Sequence, residues 1–142
     1  MRARRVTKAG ASHGYSGKPL AEKLGMKPGT VVLPIGAPAH YRDLLPGTDD
    51  VIFRKTAKSA DIVHLFCRHR ADLARRLPGA LGKVAGGGML WISWPKKSSP
   101  LFKDLTEGDL RTAILPTTNF VDVKVCAVDE DWSALKFLRR KA

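Results

Sequence analysis

Three short apolar runs, Val31–Ile35, Ala60–Phe66 and residues 89–94, are separated by stretches with helical spacing, and an alternating run at 121–128 follows them. Largely apolar runs of this length are strands covered on both faces, which calls for helices on either side of a sheet, whereas alternation marks a strand with one packed face. This order predicts a three-layer α/β domain with a reduced Rossmann-like sheet. It ends in an antiparallel hairpin, in which 121–128 turns at Asp129-Glu130-Asp131 into a second β-prone run at 134–138. The alternation places Val121, Val123, Val125 and Ala127 on one face. A chain of 142 residues is long enough to bury a real core as a single domain, expected to span 18–138.

The helices are read from spacing and punctuation. Ser16 or Gly17 can cap a two-turn helix that has Pro19 in its first turn and carries Leu20, Ala21 and Leu24, ending at Gly25. Pro34 lacks the amide hydrogen that a central strand uses, so pairing there is expected to be one-sided or bulged. A short helix is predicted over 39–45 and a short strand over 51–53. A connection of seven residues, 54–60, is too short for a helical crossover, so it predicts a hairpin or an extended return strand. Leu73, Leu77, Leu81 and Val84 give a helix over 72–84, with Arg75, Arg76 and Lys83 facing solvent. Pro78 should kink or split it, and Gly86-Gly87-Gly88 should close it. A last helix is expected over 106–115, with Thr106 and Asp109 spaced as a capping box and Pro116 as the stop.

The formal charge of +12 is concentrated at the ends. Arg2, Arg4, Arg5 and Lys8 stand without an acid in 1–12, and Arg139, Arg140 and Lys141 close the chain, which leaves the interior mildly basic. Residues 1–17 and 139–142 are therefore read as basic tails, the first of them flexible. Such tails can hold nucleic acid through phosphate contacts. With one asparagine, Asn119, and no glutamine, base readout is poorly supplied and such binding would be nonspecific. No apolar run reaches the length of a membrane-spanning helix and the N-terminus lacks a secretory signal, so a cytoplasmic protein with no membrane partner is expected. Two cysteines, Cys67 and Cys126, impose no disulfide framework.

In open α/β sheets ligands bind beyond the carboxyl ends of the strands. There this sequence places Gly36, Ala37 and His40 after the first run, Arg68, His69 and Arg70 after the third strand, and Trp94, Lys96, Lys97 and Ser98 after the fourth. Cations beside helix starts suit a phosphate or carboxylate. Solvated loop charges are the plainer reading, and the acids at Asp129 and Asp131 could neutralise the edge. Trp91 and Trp94, three apart, face opposite sides of the sheet, so one could line the edge while the other is core. Cys67 reads as a buried, inert thiol, because Leu73 stands where a Cys-x5-Arg phosphatase loop needs arginine. Alternation turns His64 away from Cys67 and His69, which leaves too few ligands for a metal. Ser16-Gly17-Lys18 lacks the remaining residues of a phosphate-binding P-loop.

The stretch Leu24-Gly25-Met26-Lys27-Pro28-Gly29-Thr30-Val31-Val32-Leu33-Pro34-Ile35-Gly36 resembles the first strand and loop of the class I S-adenosylmethionine-dependent methyltransferases. The element order resembles that fold over most of 18–138. The chain departs from the family in the first loop, where Ala37-Pro38-Ala39 follows Gly36 in place of spaced glycines. It departs again after the second strand, where Arg54 takes the place of the ribose-binding acid. A third departure is the short 54–60 connection, which leaves no room for the family's next strand and helix. Three segments, residues 14–25, 89–97 and 121–136, are similar to a small bacterial family known as domain of unknown function 3052. That resemblance implies the fold and no particular activity.

These readings lead to one main expectation, a non-catalytic domain that binds an anionic small molecule or partner at the basic edge. The first alternative is a methyltransferase-like enzyme with S-adenosylmethionine over Gly36. The second is nonspecific nucleic-acid binding through the tails.

Overall fold

The computed structural model describes residues 18–141. The expected cap at Ser16 or Gly17 and the N-terminal tail lie outside the described residues. The elements run α1 (Leu20–Lys23), β1 (Val31–Ile35), a 3-10 turn (Tyr41–Leu44), β2 (Ile52–Phe53), β3 (Ala60–Phe66), α2 (Arg70–Leu81), β4 (Val84–Pro95), α3 (Glu107–Ile114), β5 (Phe120–Ala127) and β6 (Trp132–Arg139). They form one six-stranded sheet in the order β2-β1-β3-β4-β6-β5. The first four strands are parallel, and β6 runs antiparallel to both its neighbours.

Alternation along the central strands splits the core in two. Leu33, Val63, Leu65, Leu90 and Ile92 point to the face covered by α2 and α3, where Leu73, Leu77, Leu110 and Ile114 close the packing. Val32, Ile62, Phe66 and Trp91 point the other way, against Ala21 and Leu24 of α1, Tyr41, Leu45 and Trp132. The three-layer architecture is the one the sequence predicts.

Pro34 is paired on one side, as expected. Val32 accepts from the Arg54 amide on the β2 side, and Pro34, two residues on, turns the same way where β2 has ended. No neighbouring strand waits for the missing hydrogen.

The 54–60 connection is neither a hairpin nor a return strand. β2 and β3 are both parallel to β1 and flank it, so the chain crosses over β1 without a helix. Register makes this possible. Phe53, Val32 and Ile62 stand level across the three strands, so the chain steps back only from Phe53 to Ala60. That is a return of about 7 Å along the strands and about 10 Å across two strand spacings. Residues 54–59 can span about 20 Å. The crossing passes over the α2 face, where Ala57 packs on the core and its carbonyl accepts from Lys83 Nζ at 2.6 Å.

Other boundaries also differ. Pro19 is the N-cap of α1 and lies just outside its first turn. Residues 39–45 give only the 3-10 turn, and the second strand begins at Ile52. α2 continues across Pro78 as one element, because that residue lies on the exposed face while Leu73, Leu77 and Ala80 anchor the other. Gly82 caps α2, so Val84 and the three glycines belong to β4. Between Ala60 and Ile62 on β3, β4 advances from Val84 to Met89, a bulge that takes up the extra residues. A side chain on Gly88 would stand 2.7 Å from the Asp61 carbonyl oxygen, which explains the glycine there. Lys83 and Arg76, expected in solvent, both donate to backbone carbonyls.

Arg139 is likewise no part of a tail. It ends β6, stacks on Phe120 and donates to the carbonyls of Val84 and Ala85. On β5 a register shift between Asp122 and Lys124 leaves Val123 and Val125 exposed on the edge strand. The capping box of α3 forms as expected, with the Thr106 hydroxyl accepting from the Asp109 amide and the Asp109 carboxylate accepting from the Thr106 amide.

Candidate functional site

The loop after β1 is tied down on two sides. Gly36 has φ +71°, a left-handed conformation that favours glycine. Above it lies the guanidinium of Arg76 from α2, donating from Nη1 to the Phe66 carbonyl oxygen at 2.7 Å. Ala37 packs into the second core cluster, and the Pro38 carbonyl accepts from the Tyr41 amide to start the 3-10 turn. His40 reaches across the edge, with Nε2 donating to Asp129 Oδ2 at 3.0 Å. The other oxygen of this buried carboxylate accepts from the amides of Asp131 and Trp132 at 2.8 and 2.9 Å. The β5–β6 turn is thereby fastened to the loop after β1.

At the end of β3 most of the basic residues are already engaged. Arg68 donates its amide to Asp72 Oδ2 and holds its side chain in solvent. His69 caps α2 by accepting from the Asp72 amide at Nδ1. Arg70 binds Asp109 Oδ2 through Nε at 3.1 Å, and its amide binds Asp104. Burial opposes ionisation of Asp72, yet the Arg68 amide and the Arg75 guanidinium hold its carboxyl below the usual range. Asp109 is held low by the Thr106 amide and by Arg70. Cys67 is fully buried, and burial pushes its thiol up to about 12 against the lowering influence of Arg76.

Three of the sequence-predicted residues do come together. Trp94 forms the floor of a cleft of about 500 Å³, with Lys96 and Lys97 on one side and Thr106 and Glu107, at the start of α3, on the other. Trp94 faces the α2 and α3 side, while Trp91 is buried on the other with its indole nitrogen donating to the Leu24 carbonyl. Glu107 is paired with Arg111. Lys96 and Lys97 enter no ion pair or side-chain hydrogen bond among the described residues. Ser98 is exposed outside this cleft, and its neighbour Ser99 bonds Asp131. Gly36, Ala37 and His40 belong to the first loop, and Arg68, His69 and Arg70 to the start of α2, so the predicted edge divides into three places.

Two arrangements were not foreseen. Arg76 shares the inward stripe of α2 with Leu73, Leu77 and Ala80, and that spacing was the signal for it. Below the edge, His64 is wholly buried between Tyr41, whose hydroxyl lies 2.9 Å from Nδ1, and Ser93, whose hydroxyl lies 2.7 Å from Nε2. Burial lowers the His64 pKa to about 3, so the ring is neutral. No cluster of three or more metal-ligating side chains occurs among the described residues, and none of their helices is long and apolar enough to cross a membrane.

No family model matches the chain, and no curated protein matches it by sequence. Resemblance to domain of unknown function 3052 therefore gains no support. Solved structures do match. A protein assigned to the type 11 methyltransferases, from Sulfolobus solfataricus, aligns over 92% of this chain and 95% of its own, with a TM-score of 0.59 and 15% identity. A SAM-dependent methyltransferase from Geobacter sulfurreducens, solved with S-adenosyl-L-homocysteine, aligns over 85% and 89%, with a TM-score of 0.55 and 12% identity. DhpI, also solved with that compound, aligns over 87% and 83%, with a TM-score of 0.53 and 12% identity. At these identities the likeness is one of architecture. The chain has a reduced Rossmann-like fold of the class I methyltransferase type.

Proposed function

We propose that this chain is a ligand-binding domain on a methyltransferase scaffold, without transferase activity, whose anionic ligand enters the cleft at Trp94, Lys96 and Lys97. The observation that carries this reading is the Arg76 guanidinium. It fills the space above Gly36 where the resemblance to methyltransferases would put the cofactor. Arg54 in place of the ribose-binding acid and Pro38 in the loop oppose S-adenosylmethionine as well. The residues present do not fit that cofactor. The two lysines of the cleft carry unpaired charge beside an apolar floor, a combination suited to an anion with a flat or apolar body.

A second reading, a methyltransferase-like enzyme that holds S-adenosylmethionine in a different pose, is favoured by the solved neighbours that carry S-adenosyl-L-homocysteine. These comparisons lend it more support than they lend the binding domain, and the Arg76 guanidinium above Gly36 is the observation that opposes it. Fold alone does not carry an activity across.

Thermal unfolding of the full chain with S-adenosylmethionine, S-adenosylhomocysteine and a panel of anionic metabolites separates the two. A ligand at one hundred times its Kd adds about 2.7 kcal/mol, several degrees for a domain of this size. Stabilisation by anions, lost in a Lys96→Ala/Lys97→Ala variant, is expected. A shift with the two adenosyl compounds would overturn the reading. Arg70 is left untouched in this test because it is bound to Asp109.

A further inference from the structure

At the amino ends of the strands, opposite the edge just described, lies a second cleft of about 410 Å³. Met89 and Ile62 floor it, and four lysines line it: Lys23 from α1, Lys27 from the following turn, Lys124 from β5 and Lys136 from β6. Lys124 and Lys136 stand directly opposite each other in the β5–β6 register. Like charges so placed in a sheet are destabilising. None of the four ammonium groups enters an ion pair or hydrogen bond among the described residues. The lining acids are Glu22 and Asp61, and the Asp61 carboxylate already accepts from the Val31 amide at 2.9 Å.

The crowding is visible in its neighbours. Burial, and then the charge of Lys124, pulls the Lys136 ammonium below its usual range. Ala21 of α1, its C-cap Leu24 and Cys126 of β5 pack in the same core cluster, which places α1 and β5 over this face of the sheet. Lys136 follows Trp132 and Ala134 on the strand face that is otherwise buried in the second core cluster, so a charge takes the position of a core residue. Four ammonium groups against two carboxylates leave an excess of two positive charges around an apolar floor.

We propose that the cleft bounded by Lys23, Lys27, Lys124 and Lys136 over Met89 binds a small organic phosphate ester. A phosphomonoester dianion matches the excess charge, and its organic body covers the apolar floor. The repulsion between Lys124 and Lys136 is then relieved by the ligand, a role no group of the free protein fills. This site is separate from the Trp94 cleft and does not rest on the reading given for it.

Isothermal titration calorimetry of the full chain with inorganic phosphate, pyrophosphate and adenosine monophosphate tests the proposal. Adenosine monophosphate should bind more tightly than inorganic phosphate. Lys124→Gln/Lys136→Gln should weaken it by about tenfold or more, through loss of two charge-assisted contacts, while raising the melting temperature of the free protein. Lys27→Gln, at an exposed turn, should weaken it with no change in folding. Lys96→Ala/Lys97→Ala should leave this affinity as it was. Binding that is indifferent to Lys124 and Lys136, or no binding of any phosphate at millimolar concentration, would overturn the proposal. Binding of a single-stranded oligonucleotide through these lysines without the small phosphates would overturn it in favour of a nucleic-acid surface.

Discussion

The guanidinium of Arg76 stands where a side chain on Gly36 would begin, while its Nη1 donates to the Phe66 carbonyl at 2.7 Å. One hydrogen bond from α2 thus closes the gap between the carboxyl ends of β1 and β3. Gly36→Ala should destabilise the protein, because φ +71° alone costs a side chain about 1–2 kcal/mol and the Cβ also meets Arg76. Arg76→Ala should cost about 1.5–3 kcal/mol through the lost charged hydrogen bond. The double variant should be less destabilised than the sum, since removing Arg76 removes the clash and only the backbone strain at position 36 and the lost hydrogen bond remain. Urea unfolding of the four proteins measures that coupling, and strict additivity would show that the two groups do not meet.

His64 makes stability depend on pH. Its folded pKa of about 3 lies below the ordinary 6.5, so between these values the unfolded chain binds the proton and the folded one does not. Its contribution is complete above pH 6.5 and is lost as pH falls towards 3, by a few kcal/mol in all. His64→Phe should flatten the pH dependence of the urea midpoint over that window. The same variant leaves the hydroxyls of Tyr41 and Ser93 without their partner, so it should be less stable at pH 7.

The β4 bulge depends on Gly88 and tolerates change at Gly86. A Cβ on Gly88 meets the carbonyl oxygens of Asp61 at 2.7 Å and Ala85 at 2.9 Å, and backbone cannot move aside as a side chain can. Gly88→Ala should cost about 1–3 kcal/mol. Gly86 has open space around it, so Gly86→Ala should stay within about 0.5 kcal/mol. Equal melting temperatures for the two variants would contradict this account.

Cys67 should resist thiol reagents in the native state. It is fully buried and its thiol is pushed up to about 12, whereas Cys126 is only partly buried. At pH 8 a disulfide-exchange reagent should label Cys126 alone, slowly, and both residues in denaturant. Rapid native labelling of Cys67 would mean that the end of β3 opens.

The Thr106 capping box was legible from four residues, because the two bonds that make it are local to the start of α3. Buried strands were legible for a similar reason: β3 is the largely apolar run Ala60–Phe66, broken only by Asp61 and His64, with its expected bounds. The crossover after β2 was not. Its feasibility depends on Phe53 and Ile62 standing level on either side of Val32, a relation between strands that no segment contains. The glycine run misled for the same reason, since Gly88 answers to the Asp61 carbonyl on a neighbouring strand rather than to the helix before it. Of the predicted edge, Trp94, Lys96 and Lys97 share a cleft because they follow one another on one strand end. Arg70 is bound to Asp104 and to Asp109 of α3, acids that only packing brings near, whereas the His69 cap is local to α2.

Local patterns of polarity and turn chemistry therefore determine the layers, the strands and the caps, because those respond to residues within a few positions of one another. Register, crossover and charge pairing come from the assembled sheet. Lys124 and Lys136 are ordinary polar positions within their own strands, and they become an opposed pair of cations only when β5 and β6 align them. Arg76 closes the β1 loop only once α2 has packed across β3.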